Sequence, residues 1–147
     1  EGVDWACISD TIGIIRGCAD RFHHMKEEDI LFDFTDREAE VIKVFLQDHE
    51  KGRGFVREIS RGLKERKKEV VCLNLENYRT LLIEHIKKED EILFPFIDRE
   101  LSTKQVGEIF SRFEEVEKNK KDTEPQKYYD FIHALEHRFK SSIPGVF

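Results

Sequence analysis

No apolar stretch of this chain approaches the roughly 20 residues that a bilayer-spanning helix requires. The visible N-terminus lacks a charged-then-apolar secretory pattern, so neither a membrane-embedded nor a secreted protein is expected. Prolines number three and the eight glycines are scattered through 147 residues, so no Gly-, Ser- or Pro-rich linker divides the chain. The three cysteines, Cys7, Cys18 and Cys72, are odd in number and have no Cys-x-x-Cys spacing. That usage excludes a disulfide framework and a thiolate zinc site, and fits free thiols in a reducing cytoplasm. A net charge of −6 removes the clustered basic surface that nucleic acid demands. The one short basic run, Arg61 to Lys68, is broken by Gly62, Leu63 and Glu65 and reads as a solvated helix end.

Charge and phenylalanine are present in abundance. Charged residues make up 38% of the chain and phenylalanine occurs 12 times, a combination that predicts helices with solvated outer faces packed by aromatic side chains. The periodicity predicts a long first helix from Asp4 to about Asp33, striped by Ile8, Ile12, Ile15, Ala19, Phe22, Met25, Ile30 and Phe34. Thr35-Asp36-Arg37-Glu38 has the form of a capping box and predicts a second helix, carrying Val41, Ile42, Phe45, Leu46, His49, Val56 and Ile59 and fading after Leu63. Asn74 is the expected cap of a third helix, whose buried face would carry Tyr78, Leu81, Leu82, His85, Ile86, Ile92 and Leu93. Pro95 should bend it near Phe94. Ser102 to Gln105 forms another capping box, opening a fourth helix through Val106, Ile109, Phe110, Phe113 and Val116. Glu117 to Glu124 reads as a loop, and Pro125 opens a last helix through Tyr128, Phe131, Ile132, Leu135 and Phe139 that ends before Pro144-Gly145. The expected fold is all-α, an up-and-down antiparallel bundle over 4–101 with a helical extension over 102–147, in a single domain of residues 1–147.

One stretch is written twice. Residues 22–38 reappear 62 positions later as residues 84–100, with ten of the seventeen positions identical. Each copy places His-x-x-x-Glu just ahead of Ile-Leu-Phe: His23 and Glu27 in the first, His85 and Glu89 in the second. Residues four apart on a helix share a face, so each copy directs an imidazole and a carboxylate toward the side that the apolar residues bury. His49 lies on the helix between them. Imidazoles suit iron, zinc, copper and nickel, and carboxylates can bridge two cations, so this set fits a dinuclear metal site.

Phe22-His23-His24-Met25-Lys26-Glu27-Glu28-Asp29-Ile30-Leu31-Phe32, then His49-Glu50-Lys51-Gly52-Arg53, then His85-Ile86-Lys87-Lys88-Glu89 with Ile92-Leu93-Phe94-Pro95, resemble the signatures of hemerythrin-like (HHE cation-binding) domains, in the same order. The resemblance implies a four-helix bundle around a non-haem di-iron centre with an oxo or hydroxo bridge. It makes Glu27 and Glu89 the bridging carboxylates, with Glu28 or Asp90 as register alternatives, and His23, His49 and His85 the terminal imidazoles. His24 or Glu50 would steady the ligands from outside. The function it implies is binding or sensing of oxygen, peroxide or nitric oxide, or buffering of iron. A di-iron oxidoreductase that activates oxygen or decomposes peroxide is the alternative, and a metal-free helical interaction module a second one. The expected partners are a small diatomic or peroxide ligand and, as a homo-oligomer, a second subunit, with neither nucleic acid nor membrane.

Two positions depart from oxygen-carrying hemerythrins. Arg53 stands where they have a second histidine one turn after His49, which would leave an open position on one iron. Their first helix, with its own histidine, should precede the helix near Asp4, so the sequence is expected to be a fragment or to use another element there. His133 and His137, four apart on the last helix, are candidates for that role.

Overall fold

A computed structural model describes residues 3–119 and 125–140. Helix α1 (Trp5–Ile14) is capped by Asp4, whose carboxylate accepts from the Cys7 amide at 2.9 Å. Its path continues without a break through a π-wound stretch, Ile15–His24, then a π turn, Glu27–Leu31, and a 3₁₀ turn, Phe32–Phe34. Helices α2 (Glu40–Glu65) and α3 (Lys68–Lys88) form a hairpin, and α3 runs on through a second π turn, Glu89–Leu93, into α4 (Phe94–Glu100). Helices α5 (Thr103–Asn119) and α6 (Pro125–Lys140) follow. No strand occurs among the described residues, so the all-α expectation holds there.

The two π turns fall at the same place in the two sequence copies. In one the Phe32 amide bonds back to the Glu27 carbonyl, and in the other the Phe94 amide bonds to that of Glu89. Each wider turn absorbs one extra residue, a geometry that clusters at functional sites. The second also answers the expectation for Pro95. Proline has no amide to give, and here it sits in the first turn of α4, where none is needed.

Other helix starts differ from the sequence reading. Thr35 and Glu38 form no capping box. The Thr35 hydroxyl donates to the Phe32 carbonyl, the Asp36 carboxylate takes the Glu38 amide, and α2 begins only at Glu40. Asn74 caps nothing, because α3 begins at Lys68 and the Asn74 side chain donates to the Val70 carbonyl one turn back. The box at Ser102 does form: its amide donates to Gln105 Oε1 at 3.0 Å and its hydroxyl oxygen accepts from the Gln105 amide at 3.4 Å. Residues 117–119, expected in a loop, extend α5, whereas 120–124, the Phe139 side chain and Pro144-Gly145 lie outside the described residues.

The α2–α3 hairpin closes through Arg66, whose φ of 55° is the one left-handed non-glycine backbone among the described residues. Just before it, Gly62 permits close approach of the two helices. A Cβ there would lie 2.9 Å from Val71 Cγ2 and 3.1 Å from Val70 Cγ1. Helix α6 returns to the start of the chain, with Arg138 paired to Asp4 at 2.5 Å and the Tyr128 hydroxyl filling the space over Gly17.

The apolar side chains gather into two cores. One joins Ile30, Leu31, Phe32, Ile42, Phe45, Leu93, Ile97 and Ile109; the other joins Ile12, Val56, Ile59, Val71 and Tyr78. Along α2, the residues between them are Asp48 and His49; along α3 and the π turn after it they are His85 and Glu89; along the first helical path they are His24 and Glu27. These six are the buried polar side chains among the described residues, so burial of polarity is confined to one layer between two cores. Several expected core positions stay outside, notably Ile86, Ile92, Val106 and Phe110, because α3 and α5 each bury only a narrow edge. The three thiols are free, and no helix among the described residues is long and apolar enough to cross a membrane.

Candidate metal centre

Of the five residues expected as ligands, Glu27, His49, His85 and Glu89 lie in the polar layer, and His23, which is exposed, stands at its edge. Glu27 is 4% and Glu89 6% exposed, and each stands at the first position of a π turn. The His23 Nε2 atom lies 3.6 Å from Glu27 Oε1 and 3.5 Å from Glu89 Oε1, so the two sequence copies face one another across this imidazole. His49 Nε2 approaches Glu27 Oε2 at 3.1 Å, and His85 Nε2 approaches Glu89 Oε1 at 3.1 Å. His23, Glu27 and Glu89 offer one ligand atom each within 4.8 Å of one another.

Glu28 and Asp48 support the imidazoles from behind. Glu28 Oε1 accepts from His49 Nδ1 at 2.7 Å and is held there by Arg53 Nη1 at 3.0 Å. The Glu28 bond fixes the His49 tautomer: with Nδ1 carrying the proton, the Nε2 lone pair faces the Glu27 carboxylate. Two acceptors at 3.1 Å repel unless a cation or a proton lies between them. Asp48, salt-bridged to Lys88, places Oδ2 3.6 Å from His85 Nδ1. A carboxylate behind a ligating histidine is the usual companion of a bound metal.

The family resemblance points to His24 or Glu50 for this supporting part. Glu50 instead lies on the surface holding Arg53 and Arg57, at 3.0 and 2.9 Å. His24 belongs to the layer itself: its ring stacks on that of His49, with centroids 4.0 Å apart. His23 and His24, adjacent in sequence, stand together at the end of the π-wound stretch Ile15–His24. More residues per turn mean less rotation per residue, so neighbouring side chains diverge less. Nothing in the sequence announces such a stretch. Arg53, in the position of the histidine that oxygen carriers have, reaches Asp20 at 3.1 Å as well as Glu28. His133 and His137 are exposed on α6, and among the described residues neither belongs to the His and Glu groups able to hold a metal.

The electrostatics separate the groups. Contact with Glu89 holds the His23 imidazole above its ordinary range despite partial burial, with Glu27 adding to the effect. Burial pushes His24 down to about 3, helped by His49, so its imidazole is neutral with a free lone pair. Although burial opposes the Glu89 charge, the contacts from His23 and His85 hold that carboxyl down to about 2. His24 thus offers neutral imidazole nitrogen and Glu89 an ionised carboxylate, donor forms that a transition metal takes.

Whether these residues fit a metal is tested by their unmet hydrogen bonds. Buried side-chain atoms without a partner, among the described residues, are His24 Nδ1, Glu27 Oε2, His49 Nε2, His85 Nδ1, His85 Nε2 and Glu89 Oε1. Every one belongs to this layer. Leaving such groups unsatisfied costs about 1–3 kcal/mol each, and cation binding offsets that cost. The residues fit.

The described residues are helical and carry a buried layer of convergent imidazoles and carboxylates, the class of arrangement that could hold a metal ion. The family model described as hemerythrin HHE cation binding domain matches residues 8–97, and the chain belongs to that family. No curated protein and no solved structure matches it.

Proposed function

We propose that this chain holds two non-haem iron ions through His23, Glu27, His49, His85 and Glu89, and that it binds or senses oxygen, peroxide or nitric oxide, or buffers iron. The observation that carries the reading is the set of buried atoms without hydrogen bonds, all converging on one layer. Glu27 and Glu89, entering from opposite helices beside the same His23 nitrogen, are the carboxylates placed to be shared between two cations. Glu28 orients His49 through Nδ1, and Asp48 stands behind His85. When bound, the iron pair supplies reversible one-electron chemistry and a coordination position for a small ligand. A cavity of about 140 Å³, lined by Ile15, Arg16, Asp20, Arg53 and Tyr78, reaches His24 from outside and supports entry of such a ligand.

The helices fit three walls of an up-and-down four-helix bundle: the first helical path, α2 and α3. Exposed Ile83 and Ile86 on α3 support a fourth wall supplied by another helix or a second subunit. The free thiols support a reducing, cytoplasmic setting.

Metal analysis after anaerobic iron loading tests the reading. About two irons per chain are expected, with the near-ultraviolet absorption of a bridged ferric pair after oxidation. Fewer than about one iron per chain, with no such absorption, would sink it. Glu27→Ala and Glu89→Ala should each lower the iron content. An oxidoreductase built on the same residues is distinguished by substrate-dependent turnover that disappears in both variants.

A further inference from the structure

We propose that the cavity between the first helical path, α2 and α3 is a seat for a short-chain monocarboxylate. The Arg16 guanidinium and the Tyr78 hydroxyl hold the carboxylate, and its hydrocarbon end lies against Ile15 and Val56. The seat is built from residues other than the expected metal ligands, so it stands or falls apart from the metal-centre reading.

The cavity measures about 140 Å³. A water takes up about 30 Å³ in the liquid, so there is room for an ion of roughly five heavy atoms and not for a nucleotide or a peptide. Three arginines line the cavity, and two of them are already paired: Arg53 with Asp20 at 3.1 Å and Glu28 at 3.0 Å, and Arg57 with Glu50 at 2.9 Å. Arg16, exposed at the mouth, differs. One of its terminal nitrogens donates to the Ser60 hydroxyl at 2.7 Å, and that hydroxyl donates in turn to the Val56 carbonyl at 2.7 Å. The guanidinium is thus positioned by a neutral group. Its charge has no carboxylate partner among the described residues, and its remaining N–H donors can meet a planar carboxylate.

Tyr78 supplies the second donor. It is 7% exposed, and its hydroxyl has no hydrogen-bond partner among the described residues. Asp20, whose charge acts on that hydroxyl, lines the same cavity, which puts the hydroxyl on the cavity side. Burial raises the Tyr78 pKa to about 12, with Asp20 and Cys18 adding to the effect, so the group keeps its proton and donates. Asp20 itself is neutralised by Arg53. A buried hydroxyl without a partner is uncommon, and an anion that accepts from it while pairing with Arg16 satisfies both groups. Ile15 and Val56 make part of the wall apolar, and a short alkyl tail covers that part where a bare inorganic oxyanion would not.

The test is titration of the full chain with sodium propionate, followed in proton–nitrogen spectra of the backbone and the arginine side chains, with sodium nitrate and sodium chloride at equal ionic strength as controls. Propionate should shift the Arg16 side-chain resonance to saturation, and its methyl protons should show nuclear Overhauser contacts to Ile15 and Val56. Arg16→Gln and Tyr78→Phe should each weaken binding about tenfold or more. Nitrate should bind more weakly than propionate, and chloride should only screen. The same propionate affinity is expected after chelation of metal and in Glu27→Ala. Chloride that reproduces the shifts reduces them to ionic strength and overturns the proposal, and nitrate that matches propionate overturns the ligand class. Unchanged affinity in both variants overturns the site. Binding that disappears with the metal places the anion on the metal, which overturns this proposal and leaves the metal-centre reading standing. Should a variant not fold, the Overhauser contacts of the parent decide, since a propionate methyl that meets neither Ile15 nor Val56 is not in this cavity.

Discussion

His49 shows how one hydrogen bond decides what a buried side chain is for. Its Nδ1 is committed to Glu28, so its other nitrogen is the one that faces the Glu27 carboxylate. Removing the Glu28 charge should release the ring without touching the ligands themselves. In Glu28→Gln, metal affinity is expected to fall about 10- to 100-fold, with little change in the melting temperature of the metal-free chain. Titration with Co²⁺ beside thermal melts checks both parts, and unchanged affinity would show that Glu28 does not position His49. The sequence carried the facing pairs plainly, because His-x-x-x-Glu written twice needs only helical spacing to be read. Glu28, Asp48 and His24 were less legible. The first two matter through contacts between helices, and the third ends a stretch of wider winding that leaves no trace in residue type.

Helix ends divide along a similar line. The starts at Ser102 and Pro125 depend on residues within one turn of each other, and the structure has both where local chemistry puts them. Thr35 and Asn74 have equally good local credentials, yet each gives its side chain to a carbonyl behind it. The α2–α3 turn was hidden for the opposite reason, since Arg66 adopts a left-handed backbone with no glycine or asparagine to mark it. Close approach at Gly62 is what the hairpin gains from its sequence. Gly62→Val would drive methyl groups into Val70 and Val71, with an expected loss of about 1–3 kcal/mol measured by denaturant unfolding. If stability were unchanged, the two helices would have to separate there at no cost. Loading the metal centre should partly restore this variant, as the hairpin carries His49 and His85 on facing helices.

Across the whole molecule, two apolar cores hold a polar layer that is incompletely satisfied by the protein alone. Stability should therefore follow metal content. A ligand at 100 times its dissociation constant adds about 2.7 kcal/mol, so the melting temperature of the metal-free chain should rise on anaerobic addition of Fe²⁺ and fall back with chelator. Scanning calorimetry would show this, and a melting temperature indifferent to metal in the parent would contradict it. The same rise should be much smaller in Glu27→Ala and Glu89→Ala. Fold class was readable from periodicity, and the two His and Glu pairs from repetition. The exposed apolar side of α3, with Ile83 and Ile86, was not, because a helical stripe reveals which residues favour burial but not which neighbour arrives to bury them.

The π turn at Glu89 has a further consequence, one of counting. Ile97 stands eight residues beyond Glu89, which in an unbroken α-helix would carry it well off the carboxylate's face. One residue of the eight is taken up by the wider turn, leaving about seven, or two turns, so carboxylate and core residue share a side. A shortening by one residue here would leave the helix continuous and every motif intact, and would still turn the core residue away from the polar layer. The helix thus keeps time with a beat to spare, and the site depends on the beat being kept.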